Sequence, residues 1–457
     1  MPSEMKAIFA TQAWIAGAWA KDVLLEIDAK GCWAKIQPNT PLDRRPATVI
    51  DGALLPGVVN AHSHAFQRAI AGLTEACTGV HAADDFWSWR DRMYSAANRI
   101  TPAQLEVIAC QLYRELLAGG YTHVCEFHYL HHDLNGIAYA DPAEMALALV
   151  RAAQHTGIGL TLLPTLYMRS GFNVTGLRHD QRRFATTPEA IIAIIESINR
   201  QTAGMPNINT GVALHSLRAV PDSALNELDA YADQHNLPVH IHIAEQIAEV
   251  NDCVAYTGQR PIEWLLDNVN LDARWNLVHA THATSTELRG ISERGAAIVL
   301  CPTTEANLGD GVFPLPQYAA CDGRWSVGSD SHISRAWPEE LRMLEYSQRL
   351  TLRQRNIAAQ ALHGRSTAAA MFELLAEGGS AAAGRNIGRI ALGQRADFAV
   401  LDLTSSSLLG IPLEQLLDAA VFSGPSSAMM SIHVGGRPVD STPDGDFERV
   451  MRELWHP

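Results

Sequence analysis

Leu54-Leu55-Pro56-Gly57-Val58-Val59-Asn60-Ala61-His62-Ser63-His64 is an apolar run that stops on two histidines separated by one residue. In an extended strand residues i and i+2 face the same way, so His62 and His64 can reach a single ion from the strand's end. Taken alone, such a pair is equally well a polar strand rim. Three further runs favour the metal reading. Leu237-Pro238-Val239-His240-Ile241-His242-Ile243-Ala244-Glu245 repeats the alternation; His242, nearer the C-terminal end, is the expected ligand, and His240 is expected to pack deeper. Trp275-Asn276-Leu277-Val278-His279-Ala280-Thr281-His282 and Arg324-Trp325-Ser326-Val327-Gly328-Ser329-Asp330-Ser331-His332 also end in groups that bind metal or move protons.

With 457 residues and 47% hydrophobic content, the chain can bury a full core in one large domain with a satellite, or in two to three ordinary domains. The formal charge of −14 argues against nucleic acid or an anionic membrane as the main partner and leaves a small-molecule substrate. No window reaches the length of a membrane span, and the N-terminus lacks the charged-then-apolar layout of a signal peptide, so a cytoplasmic location is expected. Seven cysteines stand singly at 32, 77, 110, 125, 253, 301 and 321, without a CxxC pair, which excludes a disulfide framework and a thiolate zinc site. Cys110, Cys125 and Cys301 lie in apolar contexts and read as small buried hydrophobes. Lys6, Lys21, Lys30 and Lys35 are the only lysines. A central strand therefore has no lysine to bridge two metals as a carbamate.

From about residue 56 to 387, β-prone runs at 55–61, 121–127, 159–166, 209–215, 237–243, 275–280, 296–301 and 324–329 alternate with helix-like stretches such as Pro102 to Ala118, Pro188 to Arg200 and Pro338 to Leu350. This predicts an α/β fold, a (β/α)8 TIM-like barrel. Residues 1–55 and 388–457 carry short strands broken by turns such as Asp28-Ala29-Lys30-Gly31, and neither flank can bury a core alone. They are expected to pair as one small β-sandwich domain.

The run Pro56-Gly57 through His64, followed by His242, His279 and Asp330, resembles the amidohydrolase superfamily, as does the segment Ile390 to Asp402 with Gly393 and Ala396-Asp397. His242 followed three residues later by Glu245 is similar to the branch whose deaminases use one metal. More narrowly, His62-Ser63-His64-Ala65-Phe66-Gln67-Arg68, Trp87-Ser88-Trp89-Arg90, Glu126-Phe127-His128-Tyr129, His215-Ser216-Leu217-Arg218, His242 through Gln246, Cys301 through Gly311 and Ser329 through His332 resemble the deiminases that act on N-formimidoyl-L-glutamate in histidine degradation. The resemblance implies a metal-dependent hydrolase of C–N bonds in a linear amidine. It also implies a homodimer, and Gln67, Arg90, Tyr129, His215 and Arg218 as substrate-binding residues.

The chemistry follows from the same parts. His62, His64, His242 and Asp330 suit one Zn²⁺ per subunit, although such ligands also accept iron or another divalent ion. Asp330 can take the proton of an attacking water, Glu245 can relay a proton to the leaving nitrogen, and His279 can polarise or hydrogen-bond the attacking oxygen. Glu126 is not expected to bridge a second ion. His282 and His332 read as rim or supporting residues. Arg218 follows the apolar run Gly211 to Leu214, where a loop opens on the active-site face of a barrel, whereas Arg90, among Trp87, Trp89 and Asp91, fits a surface salt bridge about as well. Two other functions stay open: deamination or dechlorination of a purine, pyrimidine or triazine ring, which calls for an aromatic-lined pocket, and a noncatalytic scaffold, which would have lost ligands.

Overall fold

The computed structural model describes residues 5–46, 48–76, 85–424, 428–443 and 445–455, and Cys77 lies outside them. Eight parallel strands pair in chain order: Val58–Ser63, Tyr121–His128, Gly159–Leu166, Val212–Ser216, Val239–Ile243, Trp275–His279, Ala297–Leu300 and Arg324–Val327. A short strand, Ile208–Thr210, also pairs with Gly159–Leu166, so the expected run 209–215 is broken at Gly211. A parallel bridge between Ser63 and Asp330 joins the last strand to the first. There Asp330 N donates to His62 O at 3.0 Å and His64 N donates to Asp330 O at 3.3 Å. The seam of the barrel is therefore stitched by the residues whose side chains were singled out as ligands.

Strands covered by helices outside and filled inside are buried on both faces, and Tyr121–His128 and Gly159–Leu166 have no exposed position. The helices between them start where the chemistry requires. At Pro102–Ala118, Thr101 and Gln104 form a reciprocal capping box with proline at the first turn, and Thr187 caps Pro188–Gln201 through Ala190 N. Cys110, Cys125 and Cys301 are buried, and all four lysines lie in the N-terminal segment, away from the barrel strands. Deep in the barrel, His240 Nε2 donates to Ala382 O at 2.9 Å, a packing role.

The flanks form one mixed seven-stranded sheet, with Val49–Pro56 lying between Lys6–Ile15 and Phe398–Leu401. Alternation divides its side chains: Ala53, Leu55, Ala399 and Leu401 pack with the barrel core, while Leu54, Phe398 and Val400 face a second cluster around Val23, Leu25 and Trp33. The chain crosses from this sheet into the barrel at Gly57. A Cβ there would lie 2.3 Å from Thr122 Oγ1 and 2.8 Å from Asp397 Cβ, so only glycine allows the close passage. The last helix, Gly445–Trp455, lies against the barrel instead of the sheet, with Trp455 Nε1 donating to Ala69 O at 3.0 Å. Among the described residues no helix is long and apolar enough to cross a membrane.

Candidate functional site

At the C-terminal ends of the barrel strands, His62 from the first strand, His64 just beyond it, His242 from the fifth and Asp330 just beyond the eighth bring their donor atoms within 4.8 Å of one another, all four residues buried. His62 Nε2 lies 3.1 Å from His64 Nε2 and 3.0 Å from His242 Nε2, and Asp330 Oδ1 lies 3.4 Å from His62 and 3.3 Å from His64. Tetrahedral bonds of about 2.0–2.2 Å leave donor atoms about 3.3–3.6 Å apart, close to this spacing. Gly328 makes the approach feasible, because a Cβ there would sit 2.5 Å from His62 Cβ.

Two of the imidazoles point bare lone pairs at the centre. His64 Nδ1 donates to Phe127 O at 2.8 Å and His242 Nδ1 donates to His215 O at 2.9 Å; a carbonyl only accepts, so both protons sit on Nδ1 and both Nε2 atoms are free to ligate. Burial, the largest influence on each ring, pushes His62, His64 and His242 below the usual histidine range and keeps them neutral. The unprotonated Nε2 atoms of His64 and His242 and the Asp330 carboxylate crowd around the Nε2 of His62, whose Nδ1 has no partner. The donor set fits a divalent cation. His332 supports it from behind, buried, with Nε2 donating to His64 O at 3.0 Å and Nδ1 accepting from Ser329 Oγ at 3.0 Å, rather than lying at the rim. Glu126 stands apart from the cluster, accepting from Ser63 Oγ at 2.7 Å and from Ala65 N at 2.5 Å.

Glu245 and His279 face this centre from the side. His279 Nε2 lies 3.7 Å from Glu245 Oε1 and 4.0 Å from Asp330 Oδ2, so the imidazole stands between the two carboxylates. Burial alone would depress His279, but Glu245, Cys301 and Glu305 together outweigh it and raise it well above the usual value. That direction favours the protonated ring, whose Nδ1 lies 3.3 Å from Glu305 Oε1. Burial first, then the Asp330 and Glu249 carboxylates, push Glu245 up to about 7 against the pull of His279 and Arg218. The backbone here is unusual: Ala244, His279, Ala280, Asp330 and His332 all have positive φ, a costly conformation for residues with a Cβ that persists where surrounding bonds fix it. Glu249 provides two of those bonds, accepting from Ala244 N at 3.2 Å and Glu245 N at 3.1 Å. His282 is half-buried on the next turn, its N donating to Ala244 O at 3.1 Å.

Glu249, Glu305 and Asp310 escaped the sequence reading. Glu305 and Asp310 lie within the segment Cys301 to Gly311, whose length was the available signal; Glu249 begins a helix and carries none. Glu305 also accepts from Cys301 N at 2.8 Å, and Asp310 is bonded by Gln246 Nε2. Glu305→Gln is expected to lower kcat about 10- to 100-fold with metal content unchanged, since it weakens the hold on His279 without touching a ligand. Steady-state rates beside elemental analysis check this.

One cavity joins these groups to every residue marked for substrate: Gln67, Arg90, Tyr129, His215 and Arg218 line it with His64, His242, Glu245, His279 and Asp330. Gln67 Nε2 donates to Tyr129 OH at 3.1 Å and leaves its carbonyl oxygen unpaired, and the His215 ring packs 4.3 Å from Tyr167 and 5.1 Å from His242, centroid to centroid. Arg90 stacks on Trp87 at 4.4 Å and Arg218 approaches the same ring at 5.5 Å. The surface salt bridge considered for Arg90 is absent among the described residues, where Asp91 pairs with Arg178 instead. Both guanidinium groups keep a buried Nε without a partner.

The amidohydrolase family model matches residues 53–439. The chain is 46% identical over 436 residues to formimidoylglutamate deiminase of Pseudomonas aeruginosa, covering 95% of this chain and 94% of that one. It is 27% identical over 405 residues to 8-oxoguanine deaminase of the same organism, covering 86% and 83%. Among solved structures, an amidohydrolase from Brucella melitensis superposes with a TM-score of 0.90 at 39% identity, covering 98% of each chain. A zinc-bound adenosine deaminase from Xanthomonas campestris, at 23% identity and a TM-score of 0.79 over 98% and 97%, shares the fold.

Proposed function

The chain belongs to the amidohydrolase family, and from that premise we propose that it is a zinc-dependent deiminase converting N-formimidoyl-L-glutamate to N-formyl-L-glutamate and ammonia in histidine degradation. The observation that carries the substrate class is the pair Arg90 and Arg218, two cations without carboxylate partners among the described residues, lining the cavity of the His/Asp cluster. A neutral ring would leave the buried Arg218 and the half-buried Arg90 guanidinium groups without a direct anionic partner, whereas a dicarboxylate satisfies both through charge-assisted bonds. The 46% identical relative supports the same choice over a ring deaminase, and the complete cluster speaks against a scaffold that has lost its ligands. The cytoplasm and a homodimer complete the proposal.

His62, His64, His242 and Asp330 would hold the ion. Bound there, a divalent cation supplies Lewis acidity that brings the pKa of an adjacent water toward neutrality. Asp330 Oδ2, on the side facing His279, accepts the proton released as that water attacks the amidine carbon. His279 donates from Nε2 to the attacking oxygen, its ring fixed by Glu305. Glu245 enters as a carboxylate, accepts a hydrogen bond from the protonated amidine, takes the proton of the added hydroxyl and delivers it to the nitrogen, which leaves as ammonia as the C=O forms, while the proton held by Asp330 passes to the departing ammonia. Arg90 and Arg218 fix the two carboxylates so that the amidine carbon meets these groups in one orientation.

Ammonia release from N-formimidoyl-L-glutamate, beside N-formimidoyl-L-aspartate, guanine and cytosine, tests the reading. Release confined to the first is expected; release from a ring amine alone overturns the substrate, and release from none favours the scaffold. Arg218→Ala is expected to lower kcat/KM about 10- to 100-fold, mainly through KM, the worth of one charged hydrogen-bond pair.

A further inference from the structure

The cations that line the reaction cavity also form a wall of a second, outer pocket. The reaction cavity leaves about 50 Å³, while the outer pocket offers about 500 Å³ and is lined by Trp87, Ser170, Phe172, Val174 and Tyr256, with Arg90 and Arg218 common to both. Its frame is built to hold the shared wall. Arg169 Nε donates to Arg218 O at 3.1 Å, and its Nη2 donates to Leu217 O at 2.8 Å and Val220 O at 3.2 Å, while its guanidinium rests 5.6 Å from the Tyr256 ring. Three backbone carbonyls thus pin the turn that carries Arg218. Among the described residues Asp252 is the one acidic residue in the lining.

A substrate with two carboxylates and one protonated amidine is a net anion, repelled at a distance by a chain of net charge −14, and a local cationic mouth must reverse that field if capture is to be efficient. We propose that the outer pocket is a capture subsite for the carboxylate-bearing substrate, which binds Arg90 and Arg218 from outside before passing between them into the reaction cavity. This rests on the dicarboxylate reading of the substrate. The roomy pocket receives the hydrated ion, the indole of Trp87 holds the two guanidinium groups in place, and the small cavity admits the ligand once its water is shed.

Val174→Trp fills the outer pocket at a position 46% exposed and outside the reaction cavity, so the fold tolerates it. Steady-state kinetics on N-formimidoyl-L-glutamate should show kcat/KM lowered more than about threefold with kcat unchanged, and wild-type kcat/KM should fall as ionic strength rises. A smaller loss, a parallel fall in kcat, or a wild-type kcat/KM indifferent to salt overturns the subsite and leaves the proposed reaction standing. Absence of wild-type turnover overturns both.

Discussion

Glu245→Gln is expected to reduce kcat about 10²- to 10⁴-fold while KM and metal content stay near wild type, the range for losing a positioned acid–base group. The amide keeps the volume and can still accept a hydrogen bond from the amidine, but it neither takes up nor delivers a proton. The pH profile separates this role from simple charge loss. Burial and neighbouring carboxylates lift Glu245 to about 7 in the protein without its ion. Because Glu245 begins the cycle ionised, kcat/KM falls as pH drops through its pKa, tenfold per unit. A cation at His62, His64, His242 and Asp330 favours the carboxylate, so this acid limb lies at or below pH 7 in the loaded enzyme. The limb should vanish in Glu245→Gln. A variant that keeps the limb, or keeps wild-type kcat, would assign the proton to another group, with Asp310 the nearest alternative because it shares the Glu245 and His279 cluster.

The parts of this site legible in the sequence are those tied to strand periodicity. His62, His64 and His242 end alternating apolar runs, and in a parallel barrel such ends converge on one face. That logic also separates His242 from His240, two residues deeper and bonded to Ala382 O. Groups delivered by helix starts and turns obey no such period. Glu249 and Glu305 reach the site because Gln246 and Cys301 precede short helices whose first turns fold back over the strand ends. Arg90 comes from Phe86–Ala97, an insertion after the first barrel strand, where the neighbouring residues fitted a surface ion pair about as well as a pocket cation. The positive φ values at His279 and Asp330 are likewise held by tertiary hydrogen bonds such as Asp330 N to His62 O, since His and Asp adopt a left-handed backbone more readily than most residues but too seldom for the sequence alone to place it. The flanking sheet is legible for a simpler reason: neither terminal segment carries enough strands to cover its own apolar face, so pairing is forced.

Chelation of the wild-type protein should abolish ammonia release and lower Tm by roughly 4 °C, and added Zn²⁺ should restore both. The magnitude assumes metal at about 1,000 times its Kd, worth about 4 kcal/mol, and one cooperative unfolding unit of this length. Asp330→Ala should match the chelated wild type and stay indifferent to zinc, because it removes a ligand, a proton acceptor and no part of the core. The sign with pH follows from the imidazoles. Burial holds His62, His64 and His242 below their unfolded value of about 6.5. Below that pH the unfolded chain takes up protons that the folded site refuses, so stability of the chelated protein declines as acid is added. Bound cation occupies the same lone pairs and excludes protons still more strongly from the folded state, which steepens the decline and adds metal release at its acid end. Differential scanning calorimetry at pH 8 and pH 5.5, with and without chelator, reads both effects. A Tm that ignores the chelator at pH 8 would mean that His62, His64, His242 and Asp330 hold no ion, and the proposed reaction would lose its source of nucleophile.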